Sequence, residues 1–241
     1  DLHSFPTRRS SDLGNSRKRR HYNYRIIFIP ETIGAITYLS KYLPEMKRNI
    51  RAGFNISCVG DDRTYSYIAS RYGETLADKA AKNALSFHYP NYKSYSFLQR
   101  GSDERQYNAP GVDLPVCAVC RSKYGEYPEY HTSKDDMGLI SPGGLQGAYE
   151  VYDDIINTLE HNRIYQVQCF CEPQLGKRGL YPTVSQKGSS NEIKNMVNFI
   201  AYADGTNDLI DISNRVRVPV KDLILIVEKL LGNHLIRAVE G

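Results

Sequence analysis

Ionisable side chains follow three apolar segments in the first half of the chain, where they could act together. Glu31 follows the run NYRIIFIP, Asp61 and Asp62 follow AGFNISCVG, and His131 lies in the loop that follows VDLPVCAVCRS. In an open α/β sheet, ligands bind beyond the carboxyl ends of the strands, so these side chains are expected to converge. Carboxylates and a histidine in such an arrangement indicate a hydrolase that uses a metal ion to activate water.

Each of these residues also has a simpler explanation. A carboxylate at Glu31 would suit the positive end of the helix that is predicted to follow it. A lone loop histidine such as His131 is often only solvated, and Asp61 and Asp62 could be ordinary surface charges. Their shared placement after strands, rather than any one residue, favours a site. The chain contains no GxSxG, P-loop or GxGxxG motif.

The cysteines offer a rival metal site. Cys117 and Cys120 form a CxxC pair, and Cys169 and Cys171 form a CxC pair later in the chain. CAVC lies inside an apolar run, where strand alternation would send its two thiols to opposite faces, so buried core thiols are expected. An odd number of cysteines, five, fits a reducing compartment better than a disulfide framework, so the cytoplasm is expected. No run approaches the roughly 20 apolar residues of a membrane span.

Strand-like and helix-like segments alternate along the first two thirds of the chain. Helices are expected from Thr32, which could cap the first of them, with Pro44 ending or kinking it, and then at 73–88 and from Ser141. The strand-like segments are 24–30, 54–60, 64–70, 94–100 and 113–121. This alternation predicts an α/β fold with a mostly parallel sheet and helices on both faces.

A change in composition divides the chain. Residues 21–170 form the α/β part, and 171–190 are rich in Gly, Pro and Ser and are expected to be a linker. Residues 191–241 contain three helix-like segments and a short strand, which predicts a small C-terminal winged helix-turn-helix. Residues 188–241 hold six basic and seven acidic side chains, so a packing or protein-interaction role is expected rather than nucleic-acid binding.

The first residues differ from the rest. Residues 1–13, DLHSFPTRRSSDL, resemble a translated sequencing adapter, and 1–20 are expected to be an artefactual or disordered leader. Residues 1–20 hold six basic and two acidic side chains, a balance of +4 that equals the net charge of the whole chain. Residues 21–241 are therefore neutral, and the apparent basicity indicates neither a nucleic-acid partner nor an anionic membrane.

Four segments carry a family resemblance: IPETIGAITYL, FNISCVGDD, RGSDERQYNAPGVDLPV and YPEYHTSKDD. In this order they resemble the second half of the co-catalytic zinc aminopeptidase family, and in particular its bacterial branch with an aminopeptidase-like domain and a C-terminal winged helix. Some members of that branch are linked to polysaccharide biosynthesis. The likeness runs from about Tyr24 to the end of the chain. It implies a truncated phosphorylase/hydrolase-like aminopeptidase domain that hydrolyses an amide bond of a small peptide or aminoacyl substrate, with one or two zinc ions.

The resemblance also implies residue roles. Glu31 falls on the general base, which takes a proton from metal-bound water. His131 falls on a zinc-ligand histidine, and Asp61 is the acid nearest to a further ligand position. Asp103 falls on the aspartate of a Ser-Asp-His motif near the substrate, and Glu104 stands where that motif has its histidine, so both are expected to bind substrate.

The chain departs from the family pattern at several positions. Thr32 stands where a glutamate ligand is expected, and Ser57 stands where the third motif ends in an aspartate. Two further ligands, a histidine and an aspartate, precede the segment that matches 24–30, where adapter-like sequence stands here. The chain as given is therefore expected not to assemble a working site. The alternative is a catalytically dead binding or regulatory module, and whether either form is a homo-oligomer stays open.

Overall fold

The computed structural model of the chain describes residues 20–180 and 189–239. Apart from Arg20, the leader predicted over 1–20 lies outside these residues, and so does the 181–188 part of the predicted linker. Within them, no helix is long and apolar enough to cross a membrane.

The first sheet lies in the part of the chain that carries the predicted site. Its strands are β1 (Gly53–Asn55), β2 (Ser66–Ile68), β3 (Lys93–Tyr95) and β4 (Val116–Cys120), in the order β1-β4-β2-β3. β1 is parallel to β4 and β2 is parallel to β3, whereas β2 and β4 are antiparallel. Two of the three pairings are parallel, which confirms a mainly parallel sheet in an α/β fold.

Helices cover both faces of this sheet, as predicted. They are α1 (Ile33–Asn49), α2 (Leu76–His88), the one-turn α3 (Glu104–Tyr107) and α4 (Pro142–His161). Cys117 and Val119 pack with α2 and α4 on one face, and Val116 packs with α1 on the other. Because successive strand residues point to opposite faces, Cys117 and Cys120 are buried in different clusters. The CxxC pair therefore fills the core on two sides of β4.

Side-chain caps fix where two of these helices begin. Thr75 precedes α2: its hydroxyl accepts a hydrogen bond from the Asp78 N–H at 3.3 Å, and its own N–H donates to the Asp78 carboxylate at 2.9 Å. This reciprocal pair is a capping box. At α4, the Ser141 hydroxyl accepts from the Gly144 N–H at 2.9 Å and Pro142 occupies the first turn. The predicted Ser-Pro helix start is confirmed.

The predicted strand at 24–30 is wrong. These residues form no strand, although four of the seven are isoleucine or phenylalanine. Side chains hold the segment instead: the Tyr24 hydroxyl donates to Glu160 at 2.6 Å, and Arg25 pairs with Glu45. A strand requires a partner for its backbone groups, and an apolar run alone does not supply one. The other four predicted strands are present as β1 to β4, and each is shorter than expected.

Two predictions about α1 are also wrong. Thr32 makes no side-chain capping bond, because its backbone has a φ of 61° that is unsuited to an N-cap. Pro44 lies inside the helix, which continues beyond it. Leu39 and Met46, on either side of Pro44, are both buried in the cluster with Val116, so the helix packs on the core before and after the proline.

The last third of the chain forms the predicted winged helix. Its helices are α5 (Ser189–Tyr202), α6 (Leu209–Val216) and α7 (Val220–Gly232), and its strands are β5 (Ile164–Val167), β6 (Asp204–Asp208) and β7 (Ile236–Val239). The sheet has the order β6-β5-β7 and is antiparallel throughout. Phe199, Leu223 and Leu230 are fully buried at its centre.

β5 precedes the predicted linker yet belongs to this second sheet. The sequence prediction ended the first domain at residue 170, whereas pairing with β6 and β7 places 164–167 with the winged helix. The strand is short and follows α4 directly, so its local pattern does not reveal which sheet it joins.

Candidate functional site

Thr32 forms a tight turn directly after Glu31. Its φ of 61° and ψ of −66°, with a hydrogen bond of 2.7 Å from the Ile33 N–H to the Glu31 carbonyl, define a γ-turn of the rare positive-φ form. A β-branched residue is strained in this region. Such strain persists only where neighbouring groups hold the residue in place, and it is common at functional sites.

Two side chains hold Thr32 in this conformation. The Asp103 carboxylate accepts a hydrogen bond from the Thr32 N–H at 2.7 Å, and the Arg105 guanidinium donates to the Thr32 hydroxyl at 2.6 Å. Asp103 and Arg105 flank Glu104 at the start of α3. The turn after Glu31 is therefore tied to α3 through both its backbone and its side chain.

The charges of Glu31, Asp103 and Arg105 act on one another. Asp103 is only 7% exposed. Burial raises the pKa of its carboxyl, and the Glu31 carboxylate raises this pKa further, whereas the Thr32 N–H and the Arg105 guanidinium lower it. Glu31 itself is exposed to solvent. The exposed carboxylate of Glu31 thus lies beside the buried carboxylate of Asp103, and both burial and the Glu31 charge oppose the ionisation of Asp103.

The loop after β4 brings an aromatic residue to the same place. Burial raises the pKa of the Tyr130 hydroxyl, the Glu31 charge raises it further, and Arg105 opposes this effect. The His131 ring stacks on Tyr130 with ring centroids 3.9 Å apart, and His131 is exposed. His131 therefore lies at the solvent edge of this group. We define the Glu31 cluster as Glu31, Thr32, Asp103, Arg105 and Tyr130.

Glu104, which was predicted to bind substrate, is fully buried. One carboxylate oxygen accepts from the N–H groups of Gly101 at 2.8 Å and Ser102 at 3.1 Å and from the Tyr124 hydroxyl. The other oxygen accepts from the Asn55 side chain at 2.9 Å. Both oxygens are occupied, so Glu104 positions the loop before α3 and is not accessible to a ligand.

Asp61, which was predicted to be a metal ligand, is 6% exposed. It accepts hydrogen bonds from the Ser122 hydroxyl at 2.7 Å, the Ser122 N–H at 2.9 Å and the Arg63 N–H at 3.0 Å. Gly144 packs on the same loop so closely that an added Cβ would lie 2.5 Å from the Asp61 carbonyl oxygen. Asp61 thus joins the loop after β1 to the end of β4, and a metal ion would have to displace these donors.

The described residues do not fit a zinc ion. Within 20–180 and 189–239, no three histidine, cysteine, aspartate or glutamate side chains are arranged to hold a metal. A protein zinc site needs at least about three such ligands. Thr32, at the position where the resemblance implies a glutamate ligand, offers only a hydroxyl, and Arg105 donates to it.

Sequence reasoning missed Arg105 and Tyr130. Each stands beside a residue that it did select: Arg105 follows Asp103 by two positions, and Tyr130 directly precedes His131. The sequence signal for them was that Arg105 lies in the segment RGSDERQYNAPGVDLPV and Tyr130 in YPEYHTSKDD, both of which carry the family resemblance. Their meeting depends on how α3 and the loop after β4 pack, which local sequence does not show.

The protein is therefore an α/β protein with a C-terminal winged helix. Its Glu31 cluster lies where the strained turn at Thr32 meets α3. The chain belongs to the DUF4910 family, described as a domain of unknown function, whose model matches residues 10–162. A winged helix-turn-helix family model matches residues 163–238, a range that includes β5.

Longer clostridial proteins resemble this chain. A Clostridium acetobutylicum protein, named as a candidate polysaccharide biosynthesis protein with an aminopeptidase-like domain, is 39% identical over 201 residues, which are 82% of this chain and 46% of that protein. The crystal structure of a candidate peptidase from Clostridium acetobutylicum has a TM-score of 0.84 at 34% identity and covers 95% of this chain and 51% of that chain. The chain thus spans about half the length of these relatives.

An aminopeptidase from Aneurinibacillus sp. strain AM-1 is a more distant match. It has a TM-score of 0.44 at 16% identity and covers 53% of this chain and 30% of that chain.

Proposed function

We propose that this chain is part of an aminopeptidase-like hydrolase that cleaves an amide bond of a small peptide or aminoacyl substrate. In this proposal Glu31 is the general base, which accepts a proton from the attacking water. Asp103 orients the substrate. The family resemblance implies His131 and Asp61 as metal ligands. The hydrogen bonds that Asp61 accepts from Ser122 and Arg63 oppose that role for Asp61 in this chain. Glu104 holds the loop before α3 in position.

The arrangement around Glu31 carries this proposal. Glu31 is exposed, follows a strained turn, and lies near enough to Asp103 for its charge to raise the pKa of that carboxyl. A base must be accessible and held in place, and a strained turn held by Asp103 and Arg105 meets the second requirement. The clostridial relative named for an aminopeptidase-like domain supports the same class, and a link to polysaccharide biosynthesis is part of the proposal.

Zinc, as one or two ions, is the cofactor that the resemblance implies, and it would supply Lewis-acid activation of the substrate or water. The described residues do not bring three ligands for this ion together. The resemblance places two further ligands upstream of the segment that matches 24–30. The test therefore uses a form of the protein extended at its N-terminus to the length of the clostridial relatives.

Hydrolysis of aminoacyl p-nitroanilides tests the proposal. The extended form is expected to release nitroaniline, and Glu31→Gln is expected to lower kcat by at least about a hundredfold, because general base catalysis contributes on the order of 10²–10⁴. Glu74→Gln is the matched control, since Glu74 is another exposed glutamate and lies directly before the capped start of α2. Equal turnover in Glu31→Gln and the parent form would contradict the assignment of Glu31.

A second candidate function is a catalytically dead binding or regulatory module. Thr32 in place of a ligand glutamate, together with the lack of a three-ligand group among the described residues, favours it. The two candidates differ in one result. A folded extended form that binds aminoacyl compounds but neither retains zinc by mass spectrometry nor turns over p-nitroanilides would support the binding module.

For the winged helix, we propose a packing or protein-interaction role rather than nucleic-acid binding. Ile210 of α6 is buried in the core cluster of the first domain, and Lys221 at the start of α7 pairs with Asp154 of α4 at 3.6 Å. Leu225, on the solvent side of α7, is 62% exposed, so the face that would enter a groove is not basic. A homo-oligomer stays open. The five free thiols fit the reducing cytoplasm, which we propose as the compartment.

A further inference from the structure

We propose that Arg105 binds a negatively charged group of the substrate, so that the substrate class is a small amide that carries a carboxylate or a phosphate. This inference rests on the hydrolase function proposed above and names the substrate class of that site. It concerns a residue to which neither the family pattern nor the sequence analysis assigned a role.

The Arg105 guanidinium is held at the Glu31 cluster. It is exposed on α3 and donates to the Thr32 hydroxyl at 2.6 Å, while the N–H of Thr32 is held by Asp103 at 2.7 Å. One N–H of the guanidinium is therefore used for positioning. The remaining N–H groups of its planar fork are available to bind a ligand.

Three other arginines of the first domain have a carboxylate partner that Arg105 lacks among the described residues. Arg25, Arg63 and Arg71 pair with Glu45, Glu129 and Asp113, respectively. In the part of the chain that the structure describes, Arg105 makes no ion pair, and its hydrogen bond goes to the neutral hydroxyl of Thr32. Arg105 thus makes no direct ion pair within this part of the chain, although its charge acts on the buried Asp103, and its N–H groups can donate to the oxygens of a ligand.

The surrounding charges determine how such a ligand would lie. Glu31 is an exposed carboxylate and repels an anion, so the anionic group of a ligand would turn towards Arg105 and the amide towards Glu31. The Tyr130 hydroxyl lies near enough to both residues for their charges to act on it. A guanidinium fork matches the two oxygens of a carboxylate or of a phosphate equally well. Arg105 would then select the substrate and orient it for attack.

Calorimetric binding to the 241-residue chain tests this inference without turnover. The probes are glycyl-glutamate, which has two carboxylates, glycyl-glutaminamide, which has none, and inorganic phosphate. Glycyl-glutamate is expected to bind at least about tenfold more tightly than glycyl-glutaminamide, as one charge-assisted pair predicts. Arg105→Gln should abolish this preference, and Arg105→Lys should retain part of it because the charge remains but the fork is lost.

Arg100→Gln is the matched control, because Arg100 is a nearby cation that lies over the Phe97 ring and is not part of the Glu31 cluster. It should leave the preference unchanged, and the melting temperature of each variant shows that it is folded. Phosphate that binds as tightly as glycyl-glutamate, and loses affinity in Arg105→Gln, would support the inference with a phosphate as the anion.

Three results would overturn the inference: equal affinity for the two dipeptides, a preference that survives in Arg105→Gln, or no binding of any probe. None of them decides the hydrolase proposal, which depends on the turnover of the extended form and its loss in Glu31→Gln. Conversely, a preference for the anion without turnover in the extended form would support Arg105 and contradict the hydrolase.

Discussion

Thr32 connects the two parts of the site, because its N–H binds Asp103 and its hydroxyl binds Arg105. A backbone φ of 61° at a β-branched residue is costly, and these two bonds offset that cost. The strained turn is thus part of how Glu31 is positioned. Substitutions that remove the strain and substitutions that keep it should therefore differ in stability.

Thr32→Gly and Thr32→Val separate strain from hydrogen bonding. Both remove the hydroxyl that binds Arg105, but glycine adopts positive φ freely whereas valine keeps the β-branch. The glycine variant is expected to have a free energy of unfolding about 1 kcal/mol higher than the valine variant. Urea denaturation followed by circular dichroism measures the difference. A valine variant as stable as the glycine variant would show that the turn is not strained.

Sequence reasoning selected Glu31, Asp103 and the loop that carries His131. In the structure, Glu31 lies near Asp103 and near Tyr130, the residue directly before His131. It selected them from their placement after apolar runs and from a family resemblance. It did not anticipate the turn at Thr32, because positive φ in a β-branched residue depends on tertiary contacts. The same reasoning treated Asp61 as a ligand, since a pattern shows that a carboxylate is present but not which donors occupy it.

In α2, the residue that completes the helix cap, Asp78, is also buried in the core. Asp78 closes the capping box with Thr75, and it also accepts hydrogen bonds from the Tyr67 hydroxyl at 2.6 Å and from the Ser70 N–H at 2.9 Å. Tyr67 belongs to β2, so one buried carboxylate joins the helix cap to the sheet. The packing of α2 on the sheet depends on this network.

Asp78→Asn should destabilise the protein in a pH-dependent way. Burial raises the pKa of Asp78, but hydrogen bonds from Ser70, Thr75 and Tyr67 more than offset this, so its pKa lies below the usual 3.8. A lowered folded-state pKa gives stability that is present above about pH 4 and is lost as the pH falls through the folded value. At pH 7 the variant should lose on the order of 3 kcal/mol of unfolding free energy, and this deficit should shrink in acid.

Urea denaturation at pH 7 and at about pH 3 measures this change. Asp222→Asn is the control, because Asp222 is an exposed aspartate in the first turn of α7. It should change the stability by well under 1 kcal/mol at either pH. A deficit in Asp78→Asn that is independent of pH would contradict the ionised, hydrogen-bonded state of Asp78.

The elements that were predicted correctly are those whose signals are local. α2 and α4 have caps and apolar stripes, and α7 has an apolar stripe that packs in the winged-helix core. The segment 24–30 and the strand β5 were not predicted correctly, because strand pairing depends on partners distant in sequence.

For the molecule as a whole, the two domains are joined by α2 and α6. Ile210 of α6 is fully buried in the core cluster of the first domain. Around it, Lys79 pairs with Asp208 at 2.9 Å, and the Asn83 side chain donates to the Ser213 hydroxyl at 3.0 Å. Because Ile210 is buried in the core of the first domain and the surrounding polar contacts join α2 to the winged helix, we expect the two domains to unfold together.

Ile210→Ala should lower the free energy of unfolding by about 2–5 kcal/mol, because it leaves a cavity in a core that both domains share. Hydrogen exchange should show lost protection in α2 as well as in α6. Leu225→Ala is the control, since Leu225 is 62% exposed on α7. Loss of protection confined to the winged helix would contradict a shared core.

We infer that Glu31, Asp103 and Arg105 form one electrostatic site. The first measurement to make is the pKa of the Asp103 carboxyl, followed by carbon NMR through a pH titration. It should lie above the usual 3.8, decrease in Glu31→Gln because a negative charge is removed, and increase in Arg105→Gln because a positive charge is removed. Glu74→Gln should leave it unchanged. An Asp103 pKa that does not respond to either Glu31→Gln or Arg105→Gln would show that the three side chains do not share a site.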